Sequence, residues 1–465
     1  MITRMIYEPS RALNSKIYDI RVDVEIFDPA RTLSSVLVAL EPVPYPHLPT
    51  DAFRQEEIKI AVLQSAGLEK EILSTVFSDL KGGREYDLRA GAADSSGVVD
   101  ERTSRTEYVR EFENLGTQLY NKGLTIIADY YTWWESPGRP NAGWGAKGAA
   151  HAHVYNPLLG EYSSFDPVVT AKHIDWGTGY GINALAISWW GKTSTNPNNP
   201  GANPNDLPAF EDVFLKHNML SQIKFCILYE NNGRLKIQNP DDPAERWIED
   251  LDDPFNKSRL LSDFEYLTKY FSNSQYLRID GKPCVRFDYT TPFRGDIQGV
   301  FDEVRSKLRT MGWEIYLIND LAGRSNYPSD LVSAEPLRWR YPNISPTHVQ
   351  QVIEHTDAIG ASGPPPGDNY DAWHDFSVMQ GKDFIPVSWP GQHVHPSICA
   401  TCQPVPRSPG LFARLLTASV HSTTNNTIEV TAFDDWESGI GIEPAEEYGF
   451  TYLEVLKEVV TGTKW

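Results

Sequence analysis

The residues best equipped for chemistry stand where short apolar runs give way to polar or aromatic ones. Along the chain these are Asp129, Tyr130 and Tyr131, then Trp189 and Trp190, Glu230, Asp288, Asn319 and Asp320, Trp389, and finally Asp434 and Asp435. Carboxylates exchange protons and accept hydrogen bonds from hydroxyls, while indole faces stack on the apolar C–H faces of pyranose rings. Gathered together, such carboxylates would raise one another's pKa and cost free energy unless they bind something. Taken singly, each has a plainer use as a helix cap or as a partner for Arg286. For the whole set that plainer use fits less well. The aromatic signal extends beyond these positions: Trp133, Trp134, Trp144 and Trp436 also adjoin turn-forming residues, where a ring can serve a ligand as well as a core. Asn231 and Asn232, directly after Glu230, suit hydroxyl recognition equally well.

A second constellation is HVHPSICATC, which carries His393, His395, Cys399 and Cys402. Nitrogen and sulfur ligands at such short spacing can close a tetrahedral zinc site, structural because all four positions are filled. A Cys399–Cys402 disulfide and two free thiols on a Pro-rich loop are the alternatives. The other two cysteines, Cys226 and Cys284, lie inside apolar runs and read as buried thiols. Four cysteines are too few for a disulfide scaffold.

Composition narrows the class of partner. A formal charge of −20 without any Lys/Arg cluster argues against nucleic acid and favours a neutral or cationic ligand. No run of about 18 apolar residues exists, so no membrane span is expected. The first residues, MITRMIYEPSRAL, lack the apolar core of a secretory signal. The expected location is cytoplasmic if Met1 is the native start and extracellular if a leader was removed. Oligomeric state is left open.

The elements that must position these residues follow from apolar periodicity, and 465 residues call for more than one domain. Ile20, Val22, Val24 and Ile26 alternate with Arg21, Asp23 and Glu25, the period of a half-buried strand. Strand-like runs follow at Ser34 to Leu40, Ile58 to Leu63, Ile72 to Phe77, Tyr86 to Arg89 and Tyr108 to Phe112. Short strands at this spacing predict a small immunoglobulin- or fibronectin-like β-sandwich over 1–115. From 116 to 465 the pattern changes to eight near-continuous apolar runs: LTIIADYY, INALAISWW, IKFCILYE, KPCVRFDY, WEIYLIND, DAIGAS, FIPVSW and IEVTAFDDW. Such runs mark strands buried on both faces, and stretches of helical spacing, Leu260 to Phe271 and Ile297 to Met311 among them, lie between. Eight strand–helix units predict a (β/α)8 TIM barrel, with its chemistry where strands run into loops.

Over that second region the chain resembles glycoside hydrolase family 99, the endo-α-mannosidases and their WbsX-like relatives. The resemblance is carried in order by YYTWW at Tyr130, GEYSSFDPVVTAKHI at Gly160, GINALAISWWG at Gly181, FCILYEN around Glu230, GKPCVRFDY at Gly281 and PG at Pro390. It closes on FDDWESGIGIEPA, Phe433 to Ala445, which is similar to the family pattern F-N-E-W-x-E-G-T-x-I-E-P-A. The resemblance implies hydrolysis of α-mannosidic bonds without metal or cofactor. It also implies a 1,2-anhydro sugar, one carboxylate deprotonating the 2-hydroxyl and another protonating the leaving oxygen.

This chain departs from the pattern at both positions. Asp435 stands for the first glutamate, and Ser438 for the second, the general acid. A serine hydroxyl is a poor proton donor at neutral pH. Glu437 is the nearest replacement: in an extended segment Asp435 and Glu437 point to one side, with Cα atoms about 6.5 to 7 Å apart. The resulting expectation is a glycosidase with Asp435 as base, Glu437 as acid and Glu230 as a sugar contact or alternative acid. Tyr130, Tyr131, Trp133, Trp134, Trp189, Trp190, Asn231, Asp288, Trp389, Asp434 and Trp436 form the binding shell. A non-catalytic carbohydrate-binding protein is the competing expectation, prompted by Ser438. Glu443, in the I-E-P element, reads as structural, and His173 as a buried support.

Overall fold

The computed structural model describes residues 1–11, 17–43, 58–134, 144, 153–192, 197, 207–239, 248–288, 290, 292–322, 328, 345–394 and 403–463. The chain divides into two compact units, Met1–Asn114 with Ala171–Gly179, and Leu115–Thr170 with Tyr180–Trp465.

The first unit holds two antiparallel sheets. One orders Ile2–Arg11, Ile17–Phe27 and Lys70–Lys81; the other orders Lys59–Gln64, Ser35–Pro42, Tyr86–Asp94 and Gly97–Arg105. The period-two alternation explains their core: Ile20, Val22, Val24 and Ile26 are buried with Val36, Val38, Leu40, Leu88 and Ala90 in one cluster. Two strands escape the alternation argument. Gly97–Arg105 is exposed along nearly its whole length, so no apolar face marks it, and Ile2–Arg11 was not anticipated either. Conversely, the strand expected over Tyr108 to Phe112 is reduced to a single bridge between Val109 and Arg84. The amides of Glu111 and Phe112 donate to the Asp175 carboxylate instead, at 2.5 and 3.2 Å, so a side chain takes the place of a strand partner.

The second unit is a mixed α/β fold built on a parallel sheet. Its strands are Thr125–Tyr130, Ala184–Trp189, Lys224–Tyr229, Lys282–Phe287, Tyr316–Asp320, Ala358–Gly360, a pair of short segments at Asp383–Phe384 and Val387–Ser388, and Thr427–Val430. All eight expected apolar runs supply a strand. The hydrogen-bonded path starts at Asp383–Phe384 and steps back through the chain to Thr125–Tyr130. From there it passes to Thr427–Val430 and ends at Val387–Ser388. Its two ends therefore belong to one six-residue stretch, split by Pro386, which has no N–H to give a ladder. On one side Ile385 donates to the Ile359 carbonyl at 3.0 Å; on the other the Pro386 carbonyl accepts from Glu429 at 2.9 Å.

Helices between the strands present apolar stripes, as in Pro254–Phe271, where Leu260, Phe264, Leu267 and Phe271 are buried. Asp253 caps that helix by accepting from the Phe255 amide. Cys226 and Cys284 are buried free thiols on neighbouring strands. Among the described residues no helix is long and apolar enough to cross a membrane.

Candidate active site

Parallel strands deliver their carboxyl ends to the same edge of the sheet, and the polar residues follow. Asp320 is the last residue of its strand, Asp129 and Ser188 are the last but one, Glu230 and Asp288 come directly after theirs, and Asp435 lies in the segment that follows Thr427–Val430. At their base lies Arg286, fully buried on the Lys282–Phe287 strand. Its Nε meets Glu429 at 2.6 Å, its Nη1 meets Asp129 at 3.5 Å, and its Nη2 donates to the Ala361 carbonyl at 2.7 Å. One guanidinium thus offsets the charge of several carboxylates. Burial pushes the Glu429 carboxyl well above the ordinary range even so, with Arg286 opposing and Asp129 adding to the rise.

Tyr131 marks the centre of the mouth. After burial, the groups that push its phenol up are the carboxylates of Asp435, Asp129, Glu230 and Asp288. Residues 300 positions apart thereby share one environment. Asp435 is buried and its Oδ1 accepts from the Ser438 amide at 2.9 Å. Burial raises its carboxyl to about 6, opposed by hydrogen bonds from Ser438. Glu230 is buried too, and its Oε1 accepts from the Ser188 hydroxyl at 2.5 Å; that hydroxyl in turn accepts from the Trp190 indole at 2.9 Å. Burial, and then Asp288, hold the Glu230 carboxyl well above the usual range.

Above these acids the half-buried rings form a strip. Tyr131 stacks on Trp133 with centroids 4.5 Å apart, and Trp133 meets Trp190 at 5.8 Å. Trp389 is half-buried as well. The remaining expected ring contacts are corrected by burial. Tyr130, Trp134, Trp189 and Trp436 are all enclosed, and Trp144 with them. Trp134 packs on Trp144 at 4.4 Å, and Trp189 lies between Tyr229 and the Arg234 guanidinium, at 5.8 and 5.5 Å. Their faces are already used in packing.

The last motif divides sharply. The extended geometry expected for residues 435–437 is replaced by a turn that begins at Trp436 and is tied by the Ser438-to-Asp435 bond. Glu437 is half-buried on that turn. Asp434 and Trp436 face a buried cluster behind it. Glu443 accepts there from Trp436 Nε1 at 3.0 Å and from the Tyr162 hydroxyl at 2.8 Å, and Asp434 Oδ1 accepts from the Tyr131 amide at 2.9 Å. Asn231 likewise turns inward, donating to buried Glu249 at 2.6 Å. Asp288 is half-buried at the mouth.

Of the histidine–cysteine constellation only His393 is described, half-buried with its ring 6.1 Å from Tyr155. His395, Cys399 and Cys402 lie outside the described residues, and with them the zinc and disulfide expectations. Sequence reasoning passed over Ser188, Glu249 and Glu429. For Glu429 a signal existed: it is the one charged residue inside the apolar strand Thr427–Val430. Ser188 and Glu249 carry no such mark.

No family model matches the sequence, and no curated protein matches it. Solved structures do. An endo-α-mannosidase of glycoside hydrolase family 99 from Bacteroides thetaiotaomicron is 17% identical with a TM-score of 0.52, the alignment covering 72% of this chain and 96% of that one. The same enzyme in complex with bis-tris propane gives the same values. A structure described as a glycoside hydrolase-like protein is 18% identical, with a TM-score of 0.51 and 72% and 94% covered. At this identity the likeness establishes the fold: a glycoside hydrolase-like α/β architecture built on a parallel sheet.

Proposed function

We propose that this protein is a glycoside hydrolase acting on an α-linked, mannose-like oligosaccharide at the carboxyl edge of its parallel sheet. The sheet is taken to close as a (β/α)8 barrel, a reading supported by the two path ends that share residues 383–388. The two sheets of the first unit, with their common core, are read as a β-sandwich. One observation carries the functional reading. Asp435 and Glu230, far apart in the second unit's sequence, both lie close enough to Tyr131 to perturb its phenol, and Tyr131 belongs to a strip of half-buried rings.

Their environments suit different tasks. A carboxyl near 6 is largely ionised at pH 7 and can take a proton from a sugar 2-hydroxyl or from water, which is the role of Asp435. A carboxyl held well above the ordinary range keeps its proton and can give it to a leaving oxygen. Glu230 has that environment, and Glu437 is the other candidate by sequence. Tyr131, Trp133, Trp190, Trp389 and Asp288 line the place for the sugar. Ser438 keeps a second reading in play, a carbohydrate-binding protein without catalysis.

A glycan-array screen followed by product analysis on every hit separates the two. Release of a shorter sugar by the wild-type protein, lost in Asp435→Asn, is the expected result. Tight binding with no released sugar establishes the binding protein instead, and full turnover by Asp435→Asn removes the assigned base.

A further inference from the structure

We infer that Glu230 is the proton donor to the departing sugar oxygen, with its proton on Oε2, and that Trp190 and Ser188 are the positioning residues that place it there. The inference rests on the glycosidase reading above and names the group that does the work of the carboxylate absent at Ser438.

The hydrogen-bond chain runs from the Trp190 indole through Ser188 to Glu230. An indole N–H donates and never accepts. Trp190 Nε1 therefore gives its proton to Ser188 Oγ at 2.9 Å, and the Ser188 hydroxyl is left to donate onward to Glu230 Oε1 at 2.5 Å. A carboxylic acid whose Oε1 already accepts carries its proton on Oε2.

The indole is held in place. A Cβ at Gly233 would stand 2.2 Å from Trp190 Cε3, so only glycine leaves room for the ring there. Trp133 meets Trp190 at 5.8 Å. Strand register supplies the rest: Leu228 pairs with Ser188 and Tyr229 with Trp189, so Glu230 follows two residues after the serine's partner, on the same face. Burial and the Asp288 carboxylate favour the protonated form of Glu230, and the Ser188 hydrogen bond to Oε1 opposes them. Ser438, by contrast, is committed to Asp435, to which its amide donates.

The step balances as follows. The Oε2–H proton of Glu230 passes to the glycosidic oxygen as the C1–O bond breaks and its electron pair leaves with that oxygen. The sugar 2-oxygen bonds to C1 while its proton moves to Asp435. Water then opens the anhydro ring at C1 and gives a proton to the Glu230 carboxylate, and Asp435 returns its proton to the 2-oxygen.

The test compares wild type with Glu230→Gln and Glu437→Gln on an α-linked manno-oligosaccharide and on the matching α-glycosyl fluoride, whose leaving group needs little protonation. Glu230→Gln is expected to lose about 10²- to 10⁴-fold in kcat on the oligosaccharide and far less on the fluoride. The same pattern in Glu437→Gln, with Glu230→Gln slowed equally on both substrates, overturns the inference while leaving a glycosidase. A wild-type protein that cleaves neither substrate sinks the glycosidase reading itself. Ser188→Ala removes a hydrogen bond that lowers the Glu230 pKa, so the alkaline limb of kcat/KM should move to higher pH. An unmoved limb refutes the positioning role. Independently of turnover, the infrared carbonyl band of protonated carboxyls should be present at neutral pH and should lose one component in Glu230→Gln, the contributions of Asp434, Glu249 and Glu429 remaining. A band unchanged in that variant counts against the proposal.

Discussion

Asp434 and Asp435 are neighbours of the same type, both buried and both raised in pKa, yet they belong to different structures. Asp435 faces the mouth, tied by Ser438 and sensing Asp129, with its carboxyl near 6. Asp434 faces backward, bonded to the Tyr131 amide and held well above the ordinary range by burial and then by Glu443. The difference teaches that burial alone does not mark a catalytic acid. What separates the two is whether the carboxyl is brought near enough to neutral pH to change its proton there, and whether it shares space with other strand ends.

Replacing the proposed base gives the largest expected effect. Asp435→Asn keeps an oxygen that can accept from the Ser438 amide, and it should lower kcat by about 10³-fold. Wild-type kcat/KM should rise with pH through about 6 as Asp435 ionises, a limb absent from the residual activity of the variant. Stability moves in the opposite direction. A folded-state pKa above the unfolded 3.8 means that ionisation costs the native state free energy. That cost is absent below pH 4, grows through about pH 6 and then stays at roughly 3 kcal/mol. Urea titrations at several pH values should therefore find the variant gaining on wild type as pH rises over that window. A variant that loses stability there would place Asp435 in a favourable ion pair.

Breaking the backward-facing cluster should have a smaller and purely structural effect. Trp436→Phe removes the indole N–H that Glu443 and the Tyr162 hydroxyl share, at 3.0 and 3.2 Å. Leaving buried acceptors short of a donor costs about 1–3 kcal/mol. The denaturation midpoint should fall by that amount while the acid limb of the pH profile stays where it is. Movement of the limb would couple the two sides of the turn.

The same contrast sets the reach of sequence reading. Near-continuous apolar runs announce a parallel sheet, because strands covered on both faces need no polar side, and their last residues name the edge at which polar groups gather. Sequence cannot tell which way a side chain leaves a turn. An extended reading of residues 435–437 would send Asp435 and Glu437 together. The turn at Trp436, tied through Ser438, depends on one serine amide finding one carboxylate. The tryptophans were ambiguous for a related reason. Trp189 and Trp190 are adjacent at a strand end; one is enclosed against Tyr229 and Arg234, the other lies half-buried over Gly233, and the neighbours that decide this come from another strand and the short helix after it. Ser188 was invisible because a serine in an apolar run gains meaning only from the glutamate it bonds on the neighbouring strand's end. Gly97–Arg105 was missed for want of an apolar face.

The smallest expected effect is the most discriminating. Burial and Glu443 favour the protonated form of Asp434, so Asp434→Asn exchanges one neutral group for another of nearly equal shape. The amide oxygen can still accept from the Tyr131 backbone, and the new NH2 replaces an oxygen, Oδ2, that has no hydrogen-bond partner among the described residues. Both stability and turnover should stay close to wild type, within about 1 kcal/mol and a few-fold, the ordinary range for a conservative change. Asp434→Ala is a different matter, because it strips the Tyr131 amide of its acceptor and should cost about 1–3 kcal/mol. If Asp434→Asn instead abolished turnover as thoroughly as Asp435→Asn, the two aspartates would be acting as one coupled pair, and the division of the motif into a working face and a supporting face would fail.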